Sequence, residues 1–179
     1  AVSGNCELCE ENTYCIGARE AISGTCSANS VSEIGSTQLQ DCKCNIGYSG
    51  PDGGQCTACD DHTYKENIGS EACTLCPDNS QSPTGSTSLS NCVCNAGFSG
   101  PDGGACSQCE AGTYKNLIGS SACLSCDAAE TSPAASTSES ACICIAGYYL
   151  VSDTCTACET GTYQENLGAT ACENCPSGS

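Results

Sequence analysis

Apolar residues along this chain show no 3.6-residue period, and Gly, Ser, Asn or Asp interrupts them every few positions. Such a pattern disfavours helices of useful length. The tetrapeptide Pro-Asp-Gly-Gly occurs at 51–54 and again at 101–104. There, Pro fixes φ at the first corner of a turn and Gly permits positive φ. We therefore expect short, irregular two-stranded pieces joined by turns.

The chain repeats itself with a period of about fifty residues. The segment CNIGYSGPDGG begins at Cys44, recurs as CNAGFSGPDGG from Cys94, and returns in altered form as CIAGYYLVSD from Cys144. We divide the chain into an atypical first repeat at 1–55, a second at 56–105, a third at 106–154, and the first half of a fourth at 155–179. Each unit of such an array contacts mainly its neighbours, so we expect an elongated rod.

Cysteine replaces the usual core residues in this sequence. The 179 residues include 22 Cys but one Phe and no Trp or Met, a cysteine density above the roughly 8 to 10 per cent of a disulfide scaffold. Disulfides typically contribute about 2 to 4 kcal/mol each, which compensates for a small apolar core. Because such bonds persist in oxidising surroundings, the sequence predicts a small disulfide-rich fold outside the cytosol.

The formal net charge is −17, from 21 Asp and Glu against four Lys and Arg. Nucleic acid is excluded as a partner because phosphate binding needs clustered Lys and Arg. We interpret the acidity as a solvated, self-repelling surface, with diffuse binding of Ca²⁺ or of a basic partner as the alternative. No apolar run reaches the about 18 residues that span a membrane, and we expect a signal peptide that was removed or lies upstream in a longer chain.

The spacing C-x2-C-x13-C-x2-C from Cys56 to Cys76 also resembles a four-cysteine zinc site. Zinc would leave the C-x-C pair at 92–94 unexplained, whereas a disulfide ladder uses all six cysteines of the repeat. The first repeat also has Ser23 where the second has Cys73, and carries Cys15 instead. We therefore predict disulfides and no metal or other cofactor, although six cysteines allow 15 pairings and spacing alone leaves these open.

The residues resemble known extracellular modules. CVCNAGFSGPDGGAC at 92–106 resembles the closing half of an EGF-like module. CTACDDHTYKENIGSEACTLCPDNSQSPTGSTSLSNCVCNAGFSG at 56–100 resembles the EGF-like part of the cysteine-rich region of ephrin receptors, and its first half is also similar to the opening of a tumour-necrosis-factor-receptor repeat. The resemblance covers nearly all of the chain. It implies tandem EGF-like/TNFR-like repeats with short β-hairpins and little helix.

The same resemblance implies a disulfide pattern. Its EGF-like half implies the pairs Cys44–Cys56, Cys94–Cys106 and Cys144–Cys155. The ephrin-receptor-like pattern implies Cys59–Cys73, Cys76–Cys92, Cys109–Cys123, Cys126–Cys142 and Cys158–Cys172. In the first repeat we pair Cys9 with Cys15 and Cys26 with Cys42. A crossed pattern, Cys59–Cys76 and Cys73–Cys92, is the main alternative.

Cys6 and Cys175 are left without a partner in this scheme. Cys6 matches Cys56, whose partner lies upstream, and Cys175 matches Cys76, whose partner lies downstream. Either the chain is cut from a longer array, or the end of one subunit complements the beginning of the next. The second arrangement would build a filament, because a head-to-tail contact that does not close into a ring propagates.

Two stretches rich in Ser, Thr and Pro, at 82–90 and 132–140, have a composition associated with O-linked sugars. The candidate acceptors are Ser86, Thr87, Ser136 and Thr137. The alternative is a polar loop inside a disulfide. In the third repeat, YLVSD replaces SGPDGG and offers Tyr149, Leu150 and Val151 as a candidate contact patch.

No catalytic constellation recurs in the repeats. His62 lies beside two Asp residues, but the third and fourth repeats have Gly112 and Gly161 at its position, so we interpret it as a solvated surface histidine. We predict no enzyme activity. The predicted function is a non-catalytic structural segment of a secreted or cell-surface protein that self-associates into a filament or appendage. The alternative is a receptor-type ectodomain segment that binds an extracellular protein through a lateral face.

Overall fold

The computed structural model describes residues 8–16 and 24–176. The chain divides into two compact units, residues 1–92 and 93–179. Both units are built from very short antiparallel β-strand pairs and single turns of 3₁₀ helix. This confirms the predicted class of fold, small and disulfide-rich with short hairpins and little helix. The predicted repeat boundaries and the rod shape stay predictions.

The first unit contains nine strands of two residues each in its described part. They are β1 Thr13–Tyr14, β2 Gly24–Thr25, β3 Ser30–Val31, β4 Lys43–Cys44, β5 Tyr48–Ser49, β6 Thr57–Ala58, β7 Thr63–Tyr64, β8 Thr74–Leu75 and β9 Ser80–Gln81. Antiparallel pairs join β1 to β2, β3 to β4, β5 to β6 and β7 to β8. Turns of 3₁₀ helix lie at Leu39–Asp41 and Leu89–Asn91.

The second unit repeats this order. Its described strands are β10 Val93–Cys94, β11 Phe98–Ser99, β12 Ser107–Gln108, β13 Thr113–Tyr114, β14 Leu124–Ser125, β15 Glu130–Thr131, β16 Ile143–Cys144, β17 Tyr148–Val151, β18 Thr154–Ala157, β19 Thr162–Tyr163 and β20 Glu173–Asn174. The pairs are β11 with β12, β13 with β14, β15 with β16, β17 with β18 and β19 with β20. A 3₁₀ turn lies at Glu139–Ala141. The β17–β18 hairpin has four residues in each strand, twice the length of the other described strands.

A left-handed residue followed by threonine starts the hairpin that opens each repeat. The left-handed positions are Asn12, His62, Gly112 and Gly161, with φ of 64°, 65°, 79° and 88°. Asn and Gly adopt this conformation readily, so His62 stands at a turn position. The next residue, Thr63, donates its hydroxyl hydrogen to the Asp60 carbonyl at 2.7 Å, and the three matching threonines make the same bond. This local chemistry explains why G-T-Y or a close variant recurs.

Sulfur forms most of the core. Among the described residues, the buried apolar set consists of Tyr114 and nine half-cystines, Cys9, Cys42, Cys44, Cys56, Cys59, Cys92, Cys94, Cys109 and Cys144. Buried serines complete it by bonding to the backbone: Ser82 donates to the Thr63 carbonyl at 2.9 Å, and Ser132 to the Thr113 carbonyl at 3.0 Å. Because a buried hydroxyl is costly without a partner, these bonds let Ser lie inside the repeat.

Candidate interaction surfaces

Ten disulfides link the described cysteines. They join Cys9–Cys15, Cys26–Cys42, Cys44–Cys56, Cys59–Cys73, Cys76–Cys92, Cys94–Cys106, Cys109–Cys123, Cys126–Cys142, Cys144–Cys155 and Cys158–Cys172. Eight of these are the pairs that the ephrin-receptor and EGF resemblance implies, and Cys9–Cys15 and Cys26–Cys42 are the pairs predicted for the first repeat. The crossed pattern does not occur. Within the described residues, no group of three or more His, Cys, Asp or Glu could hold a metal ion. The bonded cysteines lie 6 to 16 residues apart in sequence, so each repeat consists of short covalently closed loops.

The predicted scheme leaves Cys6 and Cys175 without a partner. Cys175 is exposed and forms no disulfide with any described cysteine. Cys6 lies outside the described residues. Their linkage between subunits stays a prediction.

The four candidate glycan acceptors fall into two classes of exposure. Ser86 and Ser136 are buried, at 7% and 8% relative exposure. Each donates its hydroxyl hydrogen to a proline carbonyl three residues earlier, at 2.6 and 2.7 Å. Thr87 and Thr137 are exposed. A sugar on either serine would have to break its internal hydrogen bond, so the threonines are the accessible acceptors.

The predicted contact patch lies on the β17–β18 hairpin. Ser152 and Asp153 form its two-residue turn, with φ of 47° and 64°, the pair of positive angles that a type I′ turn requires. Leu150 and Val151 are 44% and 42% exposed, and Tyr149 is half-buried. The Leu150 N–H donates to the Ala169 carbonyl at 2.9 Å, which ties the hairpin to the next repeat. The patch is thus a fixed, partly aliphatic surface.

Sequence reasoning missed the role of two lysines, which it counted as charge. Lys65 and Lys115 follow the tyrosine of T-Y and are 4% and 2% exposed. The Lys115 ammonium donates to the carbonyls of Gly119 at 2.6 Å, Phe98 at 2.8 Å and Asn95 at 3.4 Å. We call these three carbonyls the lysine socket. The Lys65 ammonium donates to the Gly69 carbonyl at 2.8 Å.

The lysine socket joins consecutive repeats. Asn95 and Phe98 belong to the loop that precedes the repeat of Lys115, whereas Gly119 belongs to its own loop. Burial lowers the pKa of Lys115, and Asp102 partly opposes this by attraction. The signal available in the sequence was the recurrence of T-Y-K at 63–65 and 113–115 in a chain with very few basic residues.

Other repeats place different chemistry at this position. In the fourth repeat it is Gln164, whose amide Nε2 donates to the Ala171 carbonyl at 2.8 Å. In the first repeat it is Cys15, whose N–H donates to the Ser36 carbonyl at 3.1 Å just as that of Lys115 donates to the Ser136 carbonyl at 3.0 Å. The relocated half-cystine of the first repeat therefore occupies the lysine position, where it reaches Cys9.

These features define a class of protein, a tandem array of disulfide-closed repeats with short hairpins and a core of sulfur. A family described as tyrosine-protein kinase ephrin type A/B receptor-like matches the chain three times, at residues 47–92, 97–142 and 147–179. Because the matches cover more than two thirds of the sequence, the chain belongs to this ephrin-receptor-like family. A comparison with curated proteins finds no match.

The matched module is a cysteine-rich repeat without catalytic activity, so the kinase in the family's description implies no chemistry for this chain. The disulfides and the receptor-like repeats indicate an extracellular, receptor-type segment. Across the described residues, no helix has the length and apolar character needed to cross a bilayer.

Proposed function

We propose that this chain is a non-catalytic binding segment of a secreted or cell-surface protein, in which disulfide-closed repeats hold a side-chain surface in place for a protein partner. The observation that carries the proposal is the β17–β18 hairpin. It replaces the SGPDGG loop of the earlier repeats with longer strands, and it exposes Leu150 and Val151.

The hairpin has the properties of a preorganised contact. The Cys144–Cys155 disulfide closes the hairpin. The hydrogen bond from the Leu150 N–H to the Ala169 carbonyl holds β17 against the next repeat. A surface that is already ordered loses little conformational entropy when a partner binds, and aliphatic side chains gain from removal of water. These features support protein binding through one face of the third repeat.

A paired-variant capture experiment tests this role. The tagged chain, with disulfides intact, is incubated with extracellular protein from its native source, and captured proteins are quantified. We expect at least one protein that the wild-type chain captures to be missing from the capture by the Leu150→Ala/Val151→Ala variant. The same protein should bind the purified wild-type chain directly. The control is Leu117→Ala/Leu124→Ala, which truncates two exposed aliphatic side chains elsewhere in the third repeat. Equal capture by all three chains contradicts the proposed binding face.

Self-association into a filament is a second proposal, favoured by a separate observation. Ile68, Ile118 and Leu167 occupy one position of three repeats and are 53%, 56% and 56% exposed. A recurring exposed aliphatic side chain is suited to contacts between copies, although the net charge opposes them. Sedimentation and electron microscopy over a concentration series in high salt test it. A monomer under all conditions contradicts the filament.

O-glycosylation at Thr87 and Thr137 also belongs to the proposal. Both are exposed within Ser-Thr-Pro stretches. Intact-mass analysis of chain from its native source, compared with a Thr87→Val/Thr137→Val variant, would show hexose-sized mass differences that disappear in the variant. An unmodified native mass contradicts it.

A further inference from the structure

The first unit contains a groove between the first repeat and the start of the second. It has a volume of about 650 Å³, within the range of sites that hold ligands. Its lining consists of residues 31–36 together with Glu11, Asp41, Lys43 and Ile68. We call it the first-repeat groove.

The groove combines exposed aliphatic side chains with carboxylates. Val31, Ile34 and Ile68 line it, with Ile34 66% exposed and Ile68 53% exposed. Glu11 and Glu33 are exposed, and neither carboxylate forms a hydrogen bond or ion pair with another described residue; Glu33 bonds only through its backbone carbonyl, which accepts from Ser36. Two carboxylates are therefore available beside an apolar surface.

The third carboxylate, that of Asp41, is already used by the fold. It accepts hydrogen bonds from the N–H groups of Thr37 at 2.8 Å and Gln38 at 3.1 Å. The bond from Thr37 is the main cause that lowers the pKa of Asp41. Asp41 thus stays ionised to hold the 3₁₀ turn, and it adds to the negative potential of the groove without being needed for a direct contact.

Apart from Asp41, the fold does not require these groove side chains. The third repeat has the same backbone frame: Ala135 donates to the Cys109 carbonyl at 2.8 Å, as Gly35 does to that of Cys9. At the positions of Glu11, Val31, Glu33, Ile34, Asp41 and Lys43, however, the third repeat has Ala111, Thr131, Pro133, Ala134, Ala141 and Ile143. Its matching positions carry no acid, so folding does not explain Glu11, Glu33 and the aliphatic side chains of the first repeat, whereas Asp41 holds its own 3₁₀ turn.

We infer that the first-repeat groove binds a segment of a partner protein in which Lys or Arg lies next to an aliphatic side chain. Charge complementarity selects this occupant: the carboxylates of the lining, Glu11, Glu33 and Asp41, outnumber its one cation, Lys43, and Ile34 and Ile68 cover the apolar side chain. A second copy of this chain is a poor occupant, since its net charge is −17 and two of its four basic residues are buried. The inference rests on the proposed protein-binding function but uses a surface distinct from the β17–β18 hairpin.

Amide chemical shifts of the ¹⁵N-labelled chain test the groove with defined probes. The probe is the peptide acetyl-Gly-Lys-Leu-Lys-Leu-Gly-amide, compared with peptides in which Glu replaces Lys or Gly replaces Leu. We expect saturable shifts at residues 31–36 and at Ile68 with the first peptide, and none with the other two. Shifts spread evenly over acidic surface residues would overturn the inference, because they indicate unspecific attraction.

Variants with equal net charge separate the groove from the general field. Glu11→Gln/Glu33→Gln should weaken binding about fivefold, as expected for two exposed ion pairs. Glu110→Gln/Glu159→Gln removes the same charge from exposed positions of the third and fourth repeats and should leave affinity unchanged. Ile34→Thr, which installs the residue of the matching position 84, should also weaken binding. Equal weakening by both charge variants overturns the inference.

The outcome is distinguishable from that of the proposed function. If the probe peptide fails to bind but the Leu150→Ala/Val151→Ala variant loses a partner, the groove inference alone is wrong. If peptide binding maps to the groove and the hairpin variant captures every protein normally, the hairpin is wrong as the binding face and the groove replaces it.

Discussion

Lys115 and Gln164 occupy the same position in consecutive repeats, yet they anchor their repeats differently. Their backbones agree closely: Gly97 donates to the Lys115 carbonyl at 2.8 Å, and Gly147 to that of Gln164 at 2.7 Å. The side chains do not. Lys115 donates to three carbonyls, two of them in the preceding loop, whereas the Gln164 amide donates to Ala171 within its own loop. The backbone therefore joins consecutive repeats in the same way, and the side chain at this position adds bonds to the preceding loop in the third repeat and not in the fourth.

Gly97 and Gly147, which donate to the carbonyls of Lys115 and Gln164, also differ in how closely other atoms pack against them. A Cβ on Gly97 would lie 2.5 Å from the Ala135 carbonyl oxygen, whereas one on Gly147 would meet no described atom within 4 Å. Both have positive φ, 79° and 85°. Gly97 is thus closely packed against the following loop, whereas the space beside Gly147 is open.

The largest expected effect comes from replacing these glycines. Gly97→Ala should destabilise the folded chain by about 3 kcal/mol or more, because it adds a clash to the cost of a left-handed alanine. Gly147→Ala carries the backbone cost alone, about 1 kcal/mol. Calorimetric unfolding with the disulfides intact measures both. A similar loss in the two variants would contradict the difference in packing.

The lysine socket should give the next largest effect. Lys115→Met keeps the apolar stem but leaves three carbonyls without their charged donor, and should cost about 2 kcal/mol. Gln164→Met, the matched control, should cost less than about 1 kcal/mol, since the Gln164 side chain makes neutral, exposed hydrogen bonds. Hydrogen exchange of the Gly97 and Gly147 amides would localise each loss. Unchanged hydrogen-exchange protection of the Gly97 amide in Lys115→Met would show that the lysine socket does not stabilise this junction between repeats.

The reverse substitution, Gln164→Lys, tests whether the backbone of the fourth repeat is sufficient to bind a lysine ammonium. Gln164→Lys places an ammonium where the carbonyls of Ile145, Tyr148 and Gly168 match those of the socket. We expect a gain of about 0.5 to 1 kcal/mol, the net value of a typical hydrogen bond. A destabilised variant would mean that the fourth repeat positions these carbonyls differently. Calorimetry together with protection of the Gly147 amide reads out the change.

A pH titration separates the causes of the raised pKa values of Tyr114 and Tyr163, the tyrosines that precede Lys115 and Gln164. Burial is the main cause that raises the pKa of Tyr114, whereas nearby Glu173 is the main cause for Tyr163, whose hydroxyl also donates to Glu173 at 3.3 Å. Glu173→Gln should therefore lower the pKa of Tyr163 and leave that of Tyr114 unchanged, as followed by NMR of ¹³C-labelled tyrosine. Equal shifts in both would contradict the separate causes.

The sign for stability follows from the raised values. A folded-state pKa above the unfolded value of about 10 favours the neutral phenol in the folded chain. The resulting stabilisation is complete below about pH 10 and is lost as the pH rises through the folded pKa. The pH-dependent loss above pH 10 should be smaller in Glu173→Gln than in the wild-type chain.

Local chemistry made much of this fold readable from sequence. Pro-Asp-Gly-Gly predicted turns, and the resemblance to EGF-like and ephrin-receptor modules implied eight of the ten disulfides, among them Cys44–Cys56 and Cys94–Cys106. The patch at Leu150 and Val151 could be found in the sequence because it replaces a segment that the earlier repeats share. Composition does not report which hydroxyls the fold buries, so the burial of Ser86 and Ser136 could not be predicted from the Ser-Thr-Pro stretches.

The sequence by itself determined the period, the extracellular class and the disulfide-closed repeat, because these depend on residues near one another along the chain and on oxidation of cysteine. The tertiary structure decided which charges are buried and which side chains share a groove. Lys115 bonds to Asn95, twenty residues away, and Ile68 lines the same groove as residues 31–36, more than thirty residues away. Such distances lie beyond any local pattern, since they are fixed only when one repeat folds against the next.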